Sequence, residues 1–180
     1  MVVFPKEIVT EDFILRAVIH KCYAPKLVTL VSKNIKEFKY IPMTATLITL
    51  ESANTHIDYH KEAWKKGNGY YYFIFDYNNK LMGYVGLKIR YGNKTAEVSY
   101  FLDKNQTGKG VIAKALLLLE EMFFDAGGHR LEIYANVENK KSVAVARRLN
   151  YRLDGILRQA EFIDGKFCDV AVFSKLKDDD

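Results

Sequence analysis

The chain has 180 residues, within the range of one domain, and 49% of them are hydrophobic, enough to bury a full core. Two cysteines, Cys22 and Cys168, do not make a disulfide framework, and the four histidines are scattered, with His56 and His60 spaced i, i+4 but lacking a third ligand, so no metal is expected. The net charge of +5 is explained by a solvated surface as well as by nucleic acid, no apolar run reaches the ~20 residues of a membrane span, and no signal-peptide pattern opens the chain, so a soluble cytoplasmic protein is expected.

In chain order, residues 13–18 read as a first strand. Pro25 opens a helical pattern over 26–38, with Leu27, Leu30, Val31 and Ile35 on one face. A second helix is expected over 50–65. The aromatic run 70–76 is a strand, turned by Asn78-Asn79 into 80–90, which Gly92-Asn93 turns into 95–102; these are three antiparallel strands on short hairpins. A helix over 109–126 sets Ile112, Leu116, Leu119 and Phe123 on one side and ends at Gly127-Gly128. Residues 130–137 form a strand, 140–149 a short helix, and 152–163 and 166–175 two strands joined by Asp164-Gly165. No linker or repeat divides the chain, so 1–180 reads as one domain. The strand–helix–strand unit requires a parallel pair with a right-handed crossover. The expected fold is α/β (α+β), a mixed, mostly antiparallel seven-stranded sheet flanked by helices on both faces.

The stretch 95–142 carries the chemistry. Gly108 and Gly110 sit where a strand hands over to a helix. A helix N-terminus has unpaired N–H donors and a partial positive charge, and glycine admits a ligand to the backbone, so the loop suits a pyrophosphate. It is not the P-loop, because no Gly-Lys-Ser/Thr triplet follows. It is not the dinucleotide fingerprint either, since residue 113 is alanine and no acidic residue ends the next strand. A tight turn with no ligand is the plain alternative.

The order of elements, together with Ala96-Glu97-Val98-Ser99-Tyr100-Phe101-Leu102-Asp103, Gly108-Lys109-Gly110, Asn139-Lys140-Lys141-Ser142, Leu149-Asn150-Tyr151, Asp154-Gly155, and Asp164-Gly165-Lys166 with Asp169, resembles the Gcn5-related N-acetyltransferase (GNAT) superfamily. The Rim-type branch, which acetylates N-termini of ribosomal proteins and related amines, is most similar. The frame departs at Thr107, where the family has Gln or Arg, at Ile112, where it has a small residue, and at Asn150-Tyr151, where it has Gly-Phe.

The resemblance implies the acyl-CoA N-acyltransferase fold, acetyl-CoA as co-substrate, no metal, and direct transfer to an amine without a covalent enzyme intermediate. It implies that backbone N–H groups of Thr107, Gly108, Lys109, Gly110, Val111 and Ile112 cradle the pyrophosphate. The backbone of Tyr100 and Leu102 would pair with the pantetheine arm, their side chains being plain core. Asn139 is placed near the cofactor and is also a good N-cap for the following helix. Glu97, mid-strand on the face of Ser99 and Phe101, is a candidate base for the ammonium proton, or else an ion-pair partner of a neighbouring strand. Ser142 is a candidate donor to the departing thiolate, or else a local helix-terminal hydrogen bond; Tyr134 and Tyr151 are alternative donors. Lys140, Lys141, Arg147 and Arg148 read as a solvated face. Tyr59, Trp64, Tyr70, Tyr71, Tyr72 and Phe162 are acceptor-site candidates by location, although alternation allows at most half of residues 70–73 into one cleft. The acceptor would be a protein N-terminus, a polyamine or another small amine, and association of copies is left open. Two rivals stand beside this reading: a non-catalytic acyl-CoA sensor of the same fold, and a basic nucleic-acid-binding module.

Overall fold

The computed structural model describes residues 4–90, 92 and 94–179. Strands β1 (Glu7–Val9), β2 (Ile14–Ala17), β3 (Gly69–Phe75), β4 (Leu81–Arg90), β5 (Thr95–Leu102), β6 (Arg130–Asn136), β7 (Arg152–Ile163) and β8 (Lys166–Leu176) form one sheet in the order β1-β2-β3-β4-β5-β6-β8-β7. Helices α1 (Ala24–Asn34) and α2 (Leu50–Lys66) cover one face of it, and α3 (Val111–Asp125) and α4 (Lys140–Arg148) the other.

The sheet has eight strands among the described residues, where seven are expected from the sequence. The additional one, β1, is three residues long with Glu7 and Val9 exposed, too short to show a period. It is held by its ladder to β2 and by a 2.8 Å ion pair between Glu7 and Arg16. Helix α1 stops four residues short of its expected end. Asn34 turns inward, donating to the Leu30 carbonyl at 2.9 Å and accepting the Lys104 N–H at 2.9 Å, which ties the helix end to the segment after β5. Of the expected 92–93 turn, Asn93 lies outside the described residues.

Alternation along β3 divides the aromatic run as its period of two requires. Tyr71, Phe73 and Phe75 pack under α1 and α2 with Leu27, Leu30 and Ile57. Tyr72 and Ile74 pack towards α3 with Leu116 and Leu119. Each ring so buried contributes roughly 1.5–3 kcal/mol.

β5 and β6 are parallel, as the crossover demands, but they pair only from Thr95–Arg130 to Val98–Ile133. Beyond that rung β5 continues to Leu102 and β6 to Asn136 with no partner across the gap. The sheet is therefore split open at one end, directly before the loop that starts α3.

Under α2, the Nε2 atoms of His56 and His60 lie 2.9 Å apart. Burial, and for His60 its neighbour His56, pushes these imidazoles down, to about 4 for His56 and about 2 for His60. Both are neutral in the folded chain, whereas the unfolded chain protonates them near 6.5. Stability is thus fully present above about pH 6.5 and is lost as pH falls from there towards 4, by at most ~1.4 kcal/mol per pH unit per histidine. The melting temperature is expected to drop between pH 6.5 and 4.5, and His60→Leu to shallow that drop. Identical acid limbs for wild type and variant would contradict the assignment.

Candidate active site

The loop between β5 and α3 is built by its own side chains. Asp103 accepts the Asn105 N–H at 3.0 Å, Thr107 donates its hydroxyl to the Lys104 carbonyl at 2.8 Å, and Lys109 Nζ donates to Gln106 Oε1 at 2.9 Å. Gly108 and Gly110 have φ of +81° and +75°, left-handed values that favour glycine. Gly110 is the N-cap of α3, so the helix begins at Val111, two residues later than its pattern suggests. Its first intrahelical bond runs from Lys114 N–H to the Gly110 carbonyl, 2.9 Å, which leaves the N–H groups of Val111, Ile112 and Ala113 without intrahelical partners. The Val111 and Ile112 side chains are buried in the core. An added Cβ at Gly108 or Gly110 would meet nothing within 4 Å. A cradle of amides at a positive helix end, facing open space, fits a pyrophosphate.

Across the split from this loop, Asn139 caps α4, its Oδ1 accepting the Ser142 N–H at 3.2 Å. The Ser142 hydroxyl is free of that duty and lies 2.8 Å from the Tyr100 hydroxyl. Burial pushes the Tyr100 phenol up to about 12, against the opposing hydrogen bond from Ser142, so it stays a protonated donor. The Tyr100 side chain is therefore not plain core. Alternation puts it on the α4 side, yet without knowing where α4 docks nothing in the sequence links it to Ser142. Leu102 is partly buried on the same side. Tyr151 packs in the core beside the Glu120–Lys175 ion pair of 2.8 Å.

The opposite face carries Glu97, Ser99 and Phe101 of β5. Glu97 pairs with Arg90 at 3.3 Å, and the same guanidinium holds the buried Glu132 at 2.9 Å. Arg130 adds to Glu132 at 2.8 Å, and Tyr134 donates its hydroxyl to Glu132 at 3.1 Å. Glu97 thus belongs to an ionic network over the paired end of β5 and β6. At the open end of β6, the buried Asn136 directs Nδ2 to Glu161 Oε2 at 3.5 Å and accepts the Glu138 N–H at 3.0 Å. Glu161 is partly buried and has no other polar contact among the described residues. The sequence gives no sign of it, because a register shift between Leu157 and Glu161 breaks the alternation that would assign its face. Glu138 also takes Lys166 at 3.1 Å and the Tyr40 hydroxyl at 3.3 Å, bridging the segment after α1 to the β7–β8 hairpin.

The aromatic candidates do not share one cleft. Trp64, Tyr70 and Tyr72 pack with Phe4 on the α3 side, Phe4 stacking on Tyr70 at 3.8 Å. Tyr71 lies against His60, Tyr59 is exposed on α2, and Phe162 packs on Phe167 near the hairpin tip. Lys140, Lys141, Arg147 and Arg148 are exposed, as expected. Among the described residues no group of three or more His, Cys, Asp or Glu is placed to hold a metal, and no helix is long and apolar enough to cross a membrane.

Comparison with known proteins places this geometry. Residues 12–152 match the family described as Acetyltransferase (GNAT) domain. The ribosomal-protein-serine acetyltransferase of Escherichia coli (strain K12) is 34% identical over 116 residues, which are 63% of this chain and 64% of that relative's length. The structure of RimL, a ribosomal L7/L12 alpha-N-protein acetyltransferase in complex with coenzyme A, superposes with a TM-score of 0.88 at 28% identity, over 94% of this chain and 96% of that one. The microcin C7 self-immunity acetyltransferase MccE, in complex with acetyl-CoA and AMP, gives a TM-score of 0.88 at 30% identity, over 97% and 98%.

Proposed function

The chain belongs to the GNAT acetyltransferase family, and on that premise we propose that it moves an acetyl group from acetyl-CoA to a primary amine by direct transfer. The observation that carries this reading is the end of β5–β6 pairing at Val98–Ile133 beside the amide-lined loop 108–112. An unpaired strand edge suits the amide-bearing pantetheine arm, and the loop suits the pyrophosphate. Thr107 gives both its hydroxyl and its N–H to the Lys104 carbonyl, so its expected part in the cradle is not supported and the amides that line the loop begin at Gly108. Two structural neighbours, solved with coenzyme A and acetyl-CoA, support the same ligand here.

When bound, acetyl-CoA supplies the activated thioester carbonyl. Ser142, held in place by the N-cap and polarised by Tyr100, donates a hydrogen bond to the leaving sulfur. A carboxylate on the opposite face takes the ammonium proton. Glu161 is our first choice, because the Arg90 guanidinium already engages Glu97; Glu97 keeps the ion-pair role. The acceptor we favour is a protein N-terminus, in line with the names of the E. coli relative and of RimL. We read residues 1–180 as one catalytic domain working in the cytoplasm, where new protein N-termini meet acetyl-CoA.

The test is release of free thiol from acetyl-CoA with a panel of serine- and alanine-initiated peptides, spermidine and kanamycin. Turnover is expected with at least one peptide. Ser142→Ala is expected to lower kcat roughly 10²-fold with acetyl-CoA affinity unchanged. Saturable acetyl-CoA binding with no turnover on any amine would favour the sensor instead.

A further inference from the structure

Strand β7 does not run evenly along β8. Leu157 stands opposite Val170, but the next rung is Glu161 opposite Cys168. Residues 158–160 of β7 thus face Asp169 alone, a bulge with two extra residues. A ladder continued evenly from Leu157–Val170 would set Gln159 opposite Cys168 and Glu161 opposite Lys166. The bulge therefore draws Glu161 back from the hairpin tip by two residues, about 7 Å at the usual rise of a strand.

That shift decides what the carboxylate reaches. Asn136 is the last residue of β6 and pairs with Val170. It is buried, and its Oδ1 accepts the Glu138 N–H at 3.0 Å. Only the amide oxygen can accept that bond, so Nδ2 is left to face Glu161 Oε2 at 3.5 Å. Without the bulge, the Glu161 carboxylate would leave Asn136 and the open end of β6.

Packing does not hold the bulge. Arg158, Gln159 and Ala160 are exposed, and Gln159 has φ +52°, a left-handed value that residues with a Cβ rarely adopt. Asp169 holds it. Its Oδ1 accepts the Gln159 N–H at 2.8 Å, and its carbonyl accepts the Val137 N–H at 3.1 Å. One residue therefore ties the bulge of β7 to the end of β6.

We propose that Asp169 is a positioning residue for acetyl transfer, holding the bulge that sets the Glu161 carboxylate against Asn136 at the open end of β6. This rests on the acetyltransferase reading with Glu161 as the base.

The experiment measures kcat against pH for the best acceptor of the amine panel, with acetyl-CoA affinity and melting temperature as parallel readouts. Asp169→Ala is expected to lower kcat roughly 10²-fold, the scale of a misplaced reacting group, with acetyl-CoA affinity unchanged. The deficit should shrink as pH rises and the amine arrives neutral, as a lost base requires. Asp169→Asn, which keeps an oxygen for the Gln159 N–H, is expected to recover most of the loss. If Asp169 acts through Glu161, Asp169→Ala adds no further loss in the Glu161→Gln background. A wild-type kcat in folded Asp169→Ala, a deficit independent of pH, or additive losses in the double variant overturns the proposal while the acetyltransferase reading stands. Wild-type kcat in Glu161→Gln overturns the proposal together with the choice of base. Absence of turnover by the wild type on every amine overturns the acetyltransferase reading as well.

Discussion

Gly110→Glu is expected to raise the dissociation constant for acetyl-CoA by at least about 100-fold, roughly 3 kcal/mol. The substitution has two effects. Gly110 has φ +75°, which costs a non-glycine residue about 1–2 kcal/mol of fold stability rather than of affinity. The new carboxylate also enters open space beside the unpaired N–H groups of Val111, Ile112 and Ala113, where it competes with and repels a pyrophosphate. Gly110→Ala separates the two, since it carries the strain without the charge, and should keep most of the affinity. Calorimetric titration of both variants, with circular dichroism to establish folding, is the measurement. A folded Gly110→Glu protein that binds as the wild type does would remove the loop from the phosphate site.

Glu161→Gln is expected to lower kcat by ~10²–10⁴-fold, the usual range for loss of a general base, with the largest deficit at low pH where the acceptor arrives protonated. Glu97→Gln is the control. It removes one partner of a half-exposed ion pair with Arg90, worth at most about 1 kcal/mol of stability, and should leave kcat nearly unchanged. The reverse pattern, with Glu97→Gln inactive and Glu161→Gln active, would give the base role to Glu97. Full pH–rate profiles of the two variants distinguish the outcomes.

The two carboxylates mark the boundary of what was legible in the sequence. Strong periodicity made the central elements readable: β5 is observed over the expected 95–102, and β7 over the expected 152–163. The glycines of the loop were readable because left-handed backbone leaves a compositional trace. Asn139 and Ser142 were readable through capping spacing, which is local. The short β1 left no period to detect. Contacts between distant segments left none either: Tyr100 meets Ser142 across 42 residues, and Asn136 meets Glu161 across 25. The register shift before Glu161 hid its face, while the regular alternation of β5 drew attention to Glu97. The aromatic candidates failed as a group for a related reason. Ring content marks burial, and both faces of β3 are buried, so Tyr70 and Tyr72 serve the core under α3.

The most direct test of the cofactor site is melting in the presence of acetyl-CoA, coenzyme A, adenosine and a random DNA duplex at two salt concentrations. The site is assembled from a loop, two strand edges and a helix end, so only the folded chain can bind. At ~100 times its dissociation constant acetyl-CoA adds ~2.7 kcal/mol of stability, which raises the melting temperature of a domain of this size by roughly 5 °C or more. Coenzyme A should act similarly, adenosine much less, and DNA not at all. No shift with saturating acetyl-CoA, alongside a salt-sensitive shift with DNA, would contradict the account.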